Sequence, residues 1–448
     1  MPQPLDTLTA ALLDAARKAG AEAADAIAVD GTSLSIDVLK GKLEQAERSE
    51  GVEIGLRVLI GKRQACVSAS DTRAETMAEM AERAVAMARE APEDPCIGLA
   101  DPAQLARDWD AAALQLDDPA TEPSPAELQD FAARAEAAAL AVPGVSQVQS
   151  ATAAYGRRAL HLAASNGFAG GYARSDNVIS CVAITGEGTA MERDYNSELR
   201  IFAADLPSPE EIGRIAGERT TARAGARRPK TGAYPVVFDE RISSSLIGHL
   251  LAAINGNAIV RGASWLRDAL GEQVLPDALS LIEDPHRPRA SGSRPFDAEG
   301  LPTARRAIVE DGTLTGWVLD LATARKLGME STGNAARGTS APPSPSVGNV
   351  TLTPGERTRD ELLAEMGTGL LVTSMIGSTI NPNTGDYSRG ASGFWVENGQ
   401  IAYPVNECTI AGNLRDMLTT IIPANDARPH LSRRVPSLLV EGLTLAGE

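Results

Sequence analysis

The sequence predicts an α+β fold in which helix-flanked β-sheet units are followed by a β-rich, multi-sheet or barrel-like C-terminal domain. Helix starts are marked four times by Ser or Thr with Glu three residues later, a spacing that lets both side chains bond first-turn N–H groups. Alternating apolar residues along 52–60 predict a half-buried strand. Beyond Gly232, glycine-bounded β segments outnumber helical ones. The four helix starts are at Thr72, Ser124, Ser208 and Thr358.

Residues 1–94 are predicted to form an N-terminal α/β unit. An amphipathic helix with its leucines on one side opens this unit, and a second helix at 73–90 closes it. Between them we expect a meander of short strands that turns at Gly61-Lys62. The leucines are Leu5, Leu8, Leu12 and Leu13, and the strands cover 26–29, 33–38, 52–60 and 65–69.

Residues 95–123 contain repeated Pro and Asp and are predicted to be a linker, and residues 124–226 are predicted to form a middle α+β unit. Proline follows both Ser124 and Ser208, which favours a helix start because the first helical N–H has no partner within the helix. The helices are predicted over 125–141 and 209–225, and the strands around 145–155, 160–164 and 178–184, with a turn at 165–167.

The C-terminal β-rich domain is predicted over residues 232–448, after a break at 227–232. Asp311-Gly312 and Asn398-Gly399 each separate two apolar runs, which is the strongest short-range pattern for a β-hairpin. These hairpins predict antiparallel sheets or a barrel around one main helix. Further strands are expected at 370–372 and 438–445, and helices at 240–254 and 359–366.

Charge and composition exclude several classes of protein. The chain has 42 Lys and Arg against 59 Asp and Glu, a formal charge of −17, and so acidic a surface disfavours a nucleic-acid partner. No apolar run approaches the roughly 20 residues of a membrane helix. The N-terminus has no basic segment before an apolar core, as a signal peptide would. With scattered cysteines that form no disulfide framework, these features predict a cytoplasmic protein without a membrane partner.

The histidines and cysteines do not have the spacing of metal ligands. Structural zinc sites use pairs such as C-x2-C, and catalytic helices use two histidines about one turn apart. Neither pattern occurs among His161, His249, His286, His430, Cys66, Cys96, Cys181 and Cys408.

Several long segments of the chain resemble one peptidase family. They are FDAEGLPT (296–303), VEDGTLTGWVLD (309–320), ARKLGMESTGNAAR (324–337) and WVENGQI (395–401), with SNGF (165–168) in the middle unit. In this order they resemble the TldD/PmbA family, and most closely its TldE (PmbA) branch. The resemblance covers nearly the whole chain. It implies proteolysis of short or unfolded peptides, either degrading or maturing them, by a heterodimer of TldD-type and TldE-type subunits.

The resemblance also implies where the metal chemistry lies. The TldD-type subunit carries H-E-x-x-x-H on a helix of its C-terminal domain and a later Cys. At the corresponding helix this chain has Ile247, Gly248 and Ala252, and no Cys follows Cys408. We therefore expect no catalytic residue and no bound metal in this chain, and a zinc ion in the TldD-like partner.

Three residues, two of them on this helix, allow other hypotheses. His249 could be a lone ligand or base, but a packed helix histidine explains it more simply, because one imidazole cannot hold zinc tightly. Ser245 lies four residues before His249, so the two could pair on a helix, although a polar helix entry is the simpler interpretation. Cys408 is more often a small buried residue than a nucleophile.

Two polar, glycine-rich loops are candidates for peptide binding. Glycine lets a peptide backbone approach closely, Arg can meet a carboxylate, and an exposed strand edge can accept an extended peptide. Ordinary turn chemistry is the alternative for both loops. The candidate residues are Gly333, Asn334, Arg337, Asn383, Tyr387, Ser388 and Arg389.

Three functions follow from these observations. The leading hypothesis is the TldE/PmbA-like subunit of a heterodimeric peptidase, which shapes the substrate chamber while its partner supplies zinc. An alternative is a non-catalytic regulatory or binding protein of the gyrase-modulator type, acting on another protein. A weaker alternative is an independent serine or cysteine hydrolase using Ser245 or Cys408.

Overall fold

A computed structural model describes residues 3–448. One antiparallel six-stranded sheet, in the order β3-β2-β1-β4-β5-β6, runs through both N-terminal units. Strand β1 lies at its centre and pairs with β2 on one side and β4 on the other, from Asp25↔Ala164 to Val38↔Ala151. The strands are β1 (Ala23–Leu39), β2 (Lys42–Ile60), β3 (Arg63–Ala69), β4 (Val145–Ala164), β5 (Ala169–Thr185) and β6 (Glu192–Arg200).

Four helices cover one face of this sheet. Alternate residues of β1 contact two helix pairs: Ala26 packs with α1 and α2, and Ile36 packs with α3 and α4. Each fully buried leucine on these helices, such as Leu8 and Leu12, contributes about 1.5–3 kcal/mol. Ile27 faces the other way, toward Phe296 of the C-terminal domain. The helices are α1 (Leu5–Ala19), α2 (Ala74–Glu90), α3 (Pro125–Leu140) and α4 (Pro209–Thr221).

The C-terminal domain contains a closed five-stranded barrel. Its strands run in the order β16-β15-β14-β7-β19, and β19 pairs back to β16 at Ile410↔Leu445. Only β7 and β14 are parallel neighbours in the ring. Helix α5 packs on one side of the barrel strands and α8 on the other. The elements are β7 (Gly232–Phe238), α5 (Glu240–Ala253), α8 (Arg359–Met366), β14 (Gly369–Ile380), β15 (Asp386–Glu397), β16 (Gln400–Asn413) and β19 (Leu438–Ala446).

A second, smaller sheet in the order β10-β9-β8-β13-β18 lies beside the barrel, and β11 pairs with β12. The remaining helices are α6 (Gly256–Val260), α7 (Leu321–Leu327) and α9 (Leu414–Thr419). The remaining strands are β8 (Leu281–Glu283), β9 (Arg306–Glu310), β10 (Thr313–Leu314), β11 (Ala335–Ala336), β12 (Ser344–Pro345), β13 (Val350–Leu352), β17 (Ile422–Pro423) and β18 (Arg433–Arg434). The predicted α+β class with a barrel-like C-terminal domain is confirmed.

Three of the four predicted helix starts form as expected. Ser124 and Thr358 make complete capping boxes, and the Ser208 side chain accepts from the Glu211 N–H. The prediction at Thr72 is wrong, because α2 begins at Ala74 and Arg73 is its N-cap residue without a side-chain bond. The Asp71 carboxylate stabilises the start of α2 instead, because it accepts hydrogen bonds from the Arg73 backbone N–H and the Thr76 hydroxyl.

Both predicted hairpin turns are present. Asp311 and Gly312 have φ of 46° and 78°, and Asn398 and Gly399 have φ of 51° and 74°, as the twist of a two-residue hairpin requires. The strands of the N-terminal sheet are longer than predicted, since 26–29 and 33–38 lie on the single strand β1. Among residues 3–448, no helix is long and apolar enough to cross a membrane.

Candidate functional site

Helix α5 is the element that the sequence marked as the place of a missing metal site. Its N-cap residue, Asp239, accepts from the Arg241 N–H at 3.1 Å and from Arg359 Nη1 at 3.1 Å. Leu246 and Leu250 of α5 have no exposed surface and pack in the main core of the C-terminal domain. Capping and core packing together fix the position of the helix.

The three positions aligned with the metal motif do not share one face of α5. Ile247 is fully buried, whereas Ala252 is exposed. Five residues along a helix correspond to a rotation of roughly 140° from the starting direction, so side chains at these two positions diverge. Gly248 and Ala252 are four residues apart and share a face. Shifting the alignment by one residue does not add a second histidine, because His249 is the single histidine that α5 carries.

His249 lies against β15. Its ring meets the Tyr387 ring edge-on with centroids 5.9 Å apart, and its Nε2 has no hydrogen-bond partner in the described part of the chain. Burial, and then the nearby Arg389 guanidinium, lower the pKa of His249, so the imidazole is neutral at pH 7. A Cβ at Gly248 would lie 3.1 Å from Arg433 Nη1, which shows that a second guanidinium closely approaches this helix.

These residues do not fit a zinc ion. A catalytic zinc site needs about three protein ligands from His, Cys, Asp or Glu, and no three such side chains converge anywhere in residues 3–448. Near His249 lie the Arg389 guanidinium and the Tyr387 ring, whose hydroxyl donates to Met375 Sδ at 3.2 Å, and none of these groups is a zinc ligand. We therefore assign no metal-dependent step to this helix.

Neither nucleophile candidate is activated. Within the described residues the Ser245 hydroxyl has no hydrogen-bond partner, so it is not paired with His249. Cys408 is 4% exposed and its thiol donates to the Ala391 carbonyl at 3.2 Å. Burial raises the pKa of Cys408 to about 11, which keeps it a thiol at neutral pH. Nucleophilic catalysis needs an adjacent base or a lowered pKa, and neither residue has one.

The first group of predicted peptide contacts lies on and before β15, close to α5. Tyr387 is 2% exposed and contacts His249, while Arg389 is half-buried and donates to the Gly377 carbonyl at 2.7 Å. Asn383 is exposed in the preceding turn, where its backbone N–H donates to Asn381 Oδ1. Ser388 is half-buried between Tyr387 and Arg389. Their binding of peptide stays a prediction.

The second group consists of Gly333, Asn334 and Arg337. Asn334 bonds within the C-terminal domain, whereas Arg337 reaches the N-terminal sheet. Gly333 has φ of 65°, and a Cβ there would lie 2.5 Å from the Pro302 carbonyl. Asn334 is 2% exposed and donates from Nδ2 to Glu283 Oε1 at 2.8 Å. The side chains of this group are therefore engaged internally, and a peptide-binding role for them stays a prediction.

Arg337 belongs to a buried ion cluster that joins the two parts of the molecule. Its side chain has no exposed surface and is paired with Asp25 of β1. The same carboxylate binds Arg57 of β2, with Nε 2.6 Å from Oδ2. We call Asp25, Arg57 and Arg337 the seam cluster. Sequence reasoning missed it, because no local pattern links residues so far apart in the chain.

The FDAEG segment lies next to the seam cluster and is also buried. Asp297 accepts from the backbone N–H groups of Glu299 and Leu301 at 2.9 Å and of Ala335 at 3.1 Å. Glu299 accepts from the Leu321 N–H at 2.9 Å. Burial, and then the neighbouring Asp297 carboxylate, raise the pKa of Glu299 to about 8, and burial raises that of Asp297 to about 6. Glu299 is therefore largely protonated at neutral pH.

Fold and site together define a class of protein. It has a helix-covered antiparallel sheet, a C-terminal domain with a closed barrel that is joined to that sheet by buried ionisable groups, and a helix packed on the barrel that carries a single histidine.

Comparison with known proteins agrees with this class. Models described as PmbA/TldA metallopeptidase domain 1, central domain and C-terminal domain match residues 24–88, 118–224 and 231–447. Metalloprotease PmbA of Escherichia coli O157:H7 is 38% identical over 93% of this chain and 90% of its own length. The chain belongs to the PmbA/TldD metallopeptidase family, in its PmbA (TldE) branch.

Solved structures show the same architecture. A candidate modulator of DNA gyrase from Bacteroides thetaiotaomicron superimposes with a TM-score of 0.90 at 27% identity, over 99% of this chain and 98% of that one. TldE from Thermococcus kodakarensis superimposes with a TM-score of 0.84 at 21% identity, over 98% of this chain and 100% of that one. The second similarity concerns the fold alone.

Proposed function

We propose that this chain is the TldE/PmbA-like subunit of a heterodimeric peptidase that degrades or matures unfolded short peptides. In this proposal a TldD-like partner supplies the zinc ion, and this chain shapes the substrate chamber. The observation that carries the proposal is the chemistry around α5 in a chain of a metallopeptidase family. His249 is half-buried there with its pKa lowered, Arg389 lies near it, and Arg433 approaches the neighbouring Gly248, where further ligands would be needed.

The proposed contribution of this chain is to bind rather than to cleave. The surface beside α5 presents arginine guanidinium groups and the turn around Asn383, which can meet the carbonyl oxygens and carboxylates of an extended peptide. An unfolded peptide suits such a surface, because its backbone groups are unpaired and can be bound without first breaking secondary structure.

Co-expression with a family member that carries H-E-x-x-x-H tests the pairing. We expect a 1:1 complex on size-exclusion chromatography with light scattering, and cleavage of an unfolded peptide by the complex. The matched control is the same partner with both motif histidines replaced by alanine, which should still form the complex but not cleave. Separate elution of the two chains under conditions where each is folded would contradict the proposal.

A regulatory role is the second candidate, because the Bacteroides relative is described as a candidate modulator of DNA gyrase. The charge of −17 argues against direct DNA contact but allows a protein partner. Affinity purification from a cytoplasmic extract distinguishes the two functions: gyrase subunits at equal stoichiometry without a TldD-like chain favour regulation, and the TldD-like chain favours the peptidase. Cytoplasmic location is itself part of the proposal and agrees with four free thiols.

A further inference from the structure

A cavity of about 260 Å³ opens between the N-terminal sheet and the C-terminal domain, away from α5. This volume is slightly below the roughly 300–1,000 Å³ of pockets for drug-sized ligands, so the cavity has room for a small group. We call it the seam cavity. One wall is apolar and includes Ile27, Leu162 and Phe296, with Tyr172 half-buried beside them.

Three arginines are also part of the lining. Arg174 donates to the Ser291 carbonyl at 2.6 Å, and Arg294 donates to the Ser346 carbonyl at 2.8 Å. In residues 3–448 every hydrogen bond made by these two guanidinium groups goes to a backbone carbonyl, which carries no full charge. Arg337, the third, shares the single Asp25 carboxylate with Arg57.

Two cations of the seam cavity therefore have no direct ion-pair partner. In residues 3–448 no carboxylate oxygen lies within 4 Å of the Arg174 or Arg294 guanidinium, and Asp297 is the one carboxylate in the lining. Two buried nitrogens of these arginines, Arg294 Nε and Arg337 Nη2, lack a hydrogen-bond partner within the described residues. A buried unpaired donor on a charged group is destabilising, and an anion bound to the Arg294 guanidinium would offset that loss.

The Arg294 nitrogen is the more informative of the two, because Arg294 is half-buried and lines the cavity, whereas the Arg337 side chain has no exposed surface and stays out of a ligand's reach. A ligand that enters the cavity brings an acceptor to the Arg294 guanidinium. A ligand that fits both the arginines and the apolar wall has a negatively charged hydrogen-bond acceptor next to an apolar group. A carboxylate attached to a hydrophobic residue has this chemistry. Two N–H groups of one guanidinium bind the two oxygens of a carboxylate in a planar, bidentate geometry.

We propose that the seam cavity binds the C-terminal carboxylate and last apolar side chain of a short peptide. This inference rests on the proposed peptide-binding function but places the peptide end between the N-terminal sheet and the C-terminal domain rather than at α5. The carboxylate lies against Arg174 and Arg294, while Arg337 adds positive charge behind them, and the side chain packs on Phe296 and the apolar wall.

Binding of the tripeptide Ala-Ala-Leu to the full isolated chain tests the inference, with calorimetry as the main readout and tryptophan fluorescence, to which Trp109 contributes, as the second. The Trp109 ring lies 5.1 Å from that of Phe296 in the cavity wall. The free acid is expected to bind at least roughly tenfold more tightly than the C-terminal amide, the size of effect that one charge-assisted hydrogen bond produces. Equal affinity of acid and amide would overturn the proposal.

Variants locate the site. Arg174→Gln removes a half-buried cation of the cavity and should weaken binding of the free acid roughly tenfold, whereas Arg83→Gln, the same change on the exposed side of α2, should leave it unchanged. If Arg174→Gln binds like the unaltered chain, the site is elsewhere. Tyr172→Ala should also weaken binding, through lost apolar contact, so the test does not depend on one variant.

Inorganic phosphate is the competing anion. If phosphate displaces the free acid while the acid binds no better than acetate, the cavity is a simple anion site and the peptide assignment is wrong. None of these measurements requires the TldD-like partner. If the tripeptide does not bind but the TldD-like chain still forms a complex, only this inference is refuted. If the tripeptide binds but no complex forms, only the proposed pairing is refuted.

Discussion

Glu299→Gln should remove a large part of the pH dependence of stability where the N-terminal sheet meets the C-terminal domain. The ordinary pKa of Glu is 4.5, and in the folded chain burial raises that of Glu299 to about 8. Between these values the unfolded chain loses the proton while the folded chain keeps it. Stability therefore falls as pH rises through this range and is highest at its acid end. Glutamine stays neutral and retains an oxygen acceptor for the Leu321 N–H.

The size of the effect follows from the linkage of proton binding to folding. Each pH unit inside this window changes stability by at most about 1.4 kcal/mol for one group. From pH 5.5 to 7.5, Glu299 alone should cost the chain on the order of 3 kcal/mol. Asp297, with its pKa raised to about 6, adds to this loss mainly near the acid end of the window.

Urea unfolding followed by tryptophan fluorescence at pH 5.5 and 7.5 measures the effect, and of the four tryptophans Trp109 packs on Phe296 of the same segment. The unaltered chain should unfold at clearly lower urea at pH 7.5, and Glu299→Gln should reduce most of that difference. Glu310→Gln, at an exposed hairpin end, is the matched control and should behave like the unaltered chain. A Glu299→Gln variant with an unchanged pH dependence would refute a protonated Glu299.

Two further predictions concern packing and thiol chemistry. Gly55→Ala should destabilise the chain by about 1–3 kcal/mol, because its Cβ would lie 2.1 Å from the Thr339 carbonyl. The control is Gly51→Ala, whose Cβ meets nothing within 4 Å and which should change the urea midpoint little. Equal urea midpoints for the two variants would contradict the close contact at Gly55. Ellman's reagent at pH 8 should label the half-buried Cys96 well before Cys408, whose thiol is buried with its pKa raised to about 11; equally fast labelling, followed by peptide mapping, would show that Cys408 is accessible.

Local chemistry made much of the fold predictable from the sequence. The capping box at Ser124 and the hairpin turn at Asn398-Gly399 involve residues within three positions of each other, so their pattern is visible without tertiary contacts. Thr72 has the same pattern and fails, because the neighbouring Asp71 offers a competing acceptor for the first-turn groups. Capping preferences of about 1 kcal/mol are easily overridden by such a neighbour.

The candidate site was less predictable, since its residues meet only through tertiary packing. The seam cluster joins Asp25, Arg57 and Arg337 from two strands and a distant loop, and no periodicity in the sequence connects them. The proximity of His249 to Tyr387 and Arg389 also depends on how α5 lies on β15. What the sequence did show was a shortage of metal ligands on α5, because that depends on residue identity alone.

The central claim is that the zinc chemistry lies in the partner and not in this chain. Its most direct test is the zinc content and peptidase activity of three preparations: this chain alone, a TldD-like chain alone, and the two mixed at equal concentration, each dialysed against trace zinc. We expect negligible tightly bound zinc and no cleavage for this chain alone, and one zinc per heterodimer with full activity in the mixture. Stoichiometric zinc with peptide cleavage by this chain alone would contradict the account.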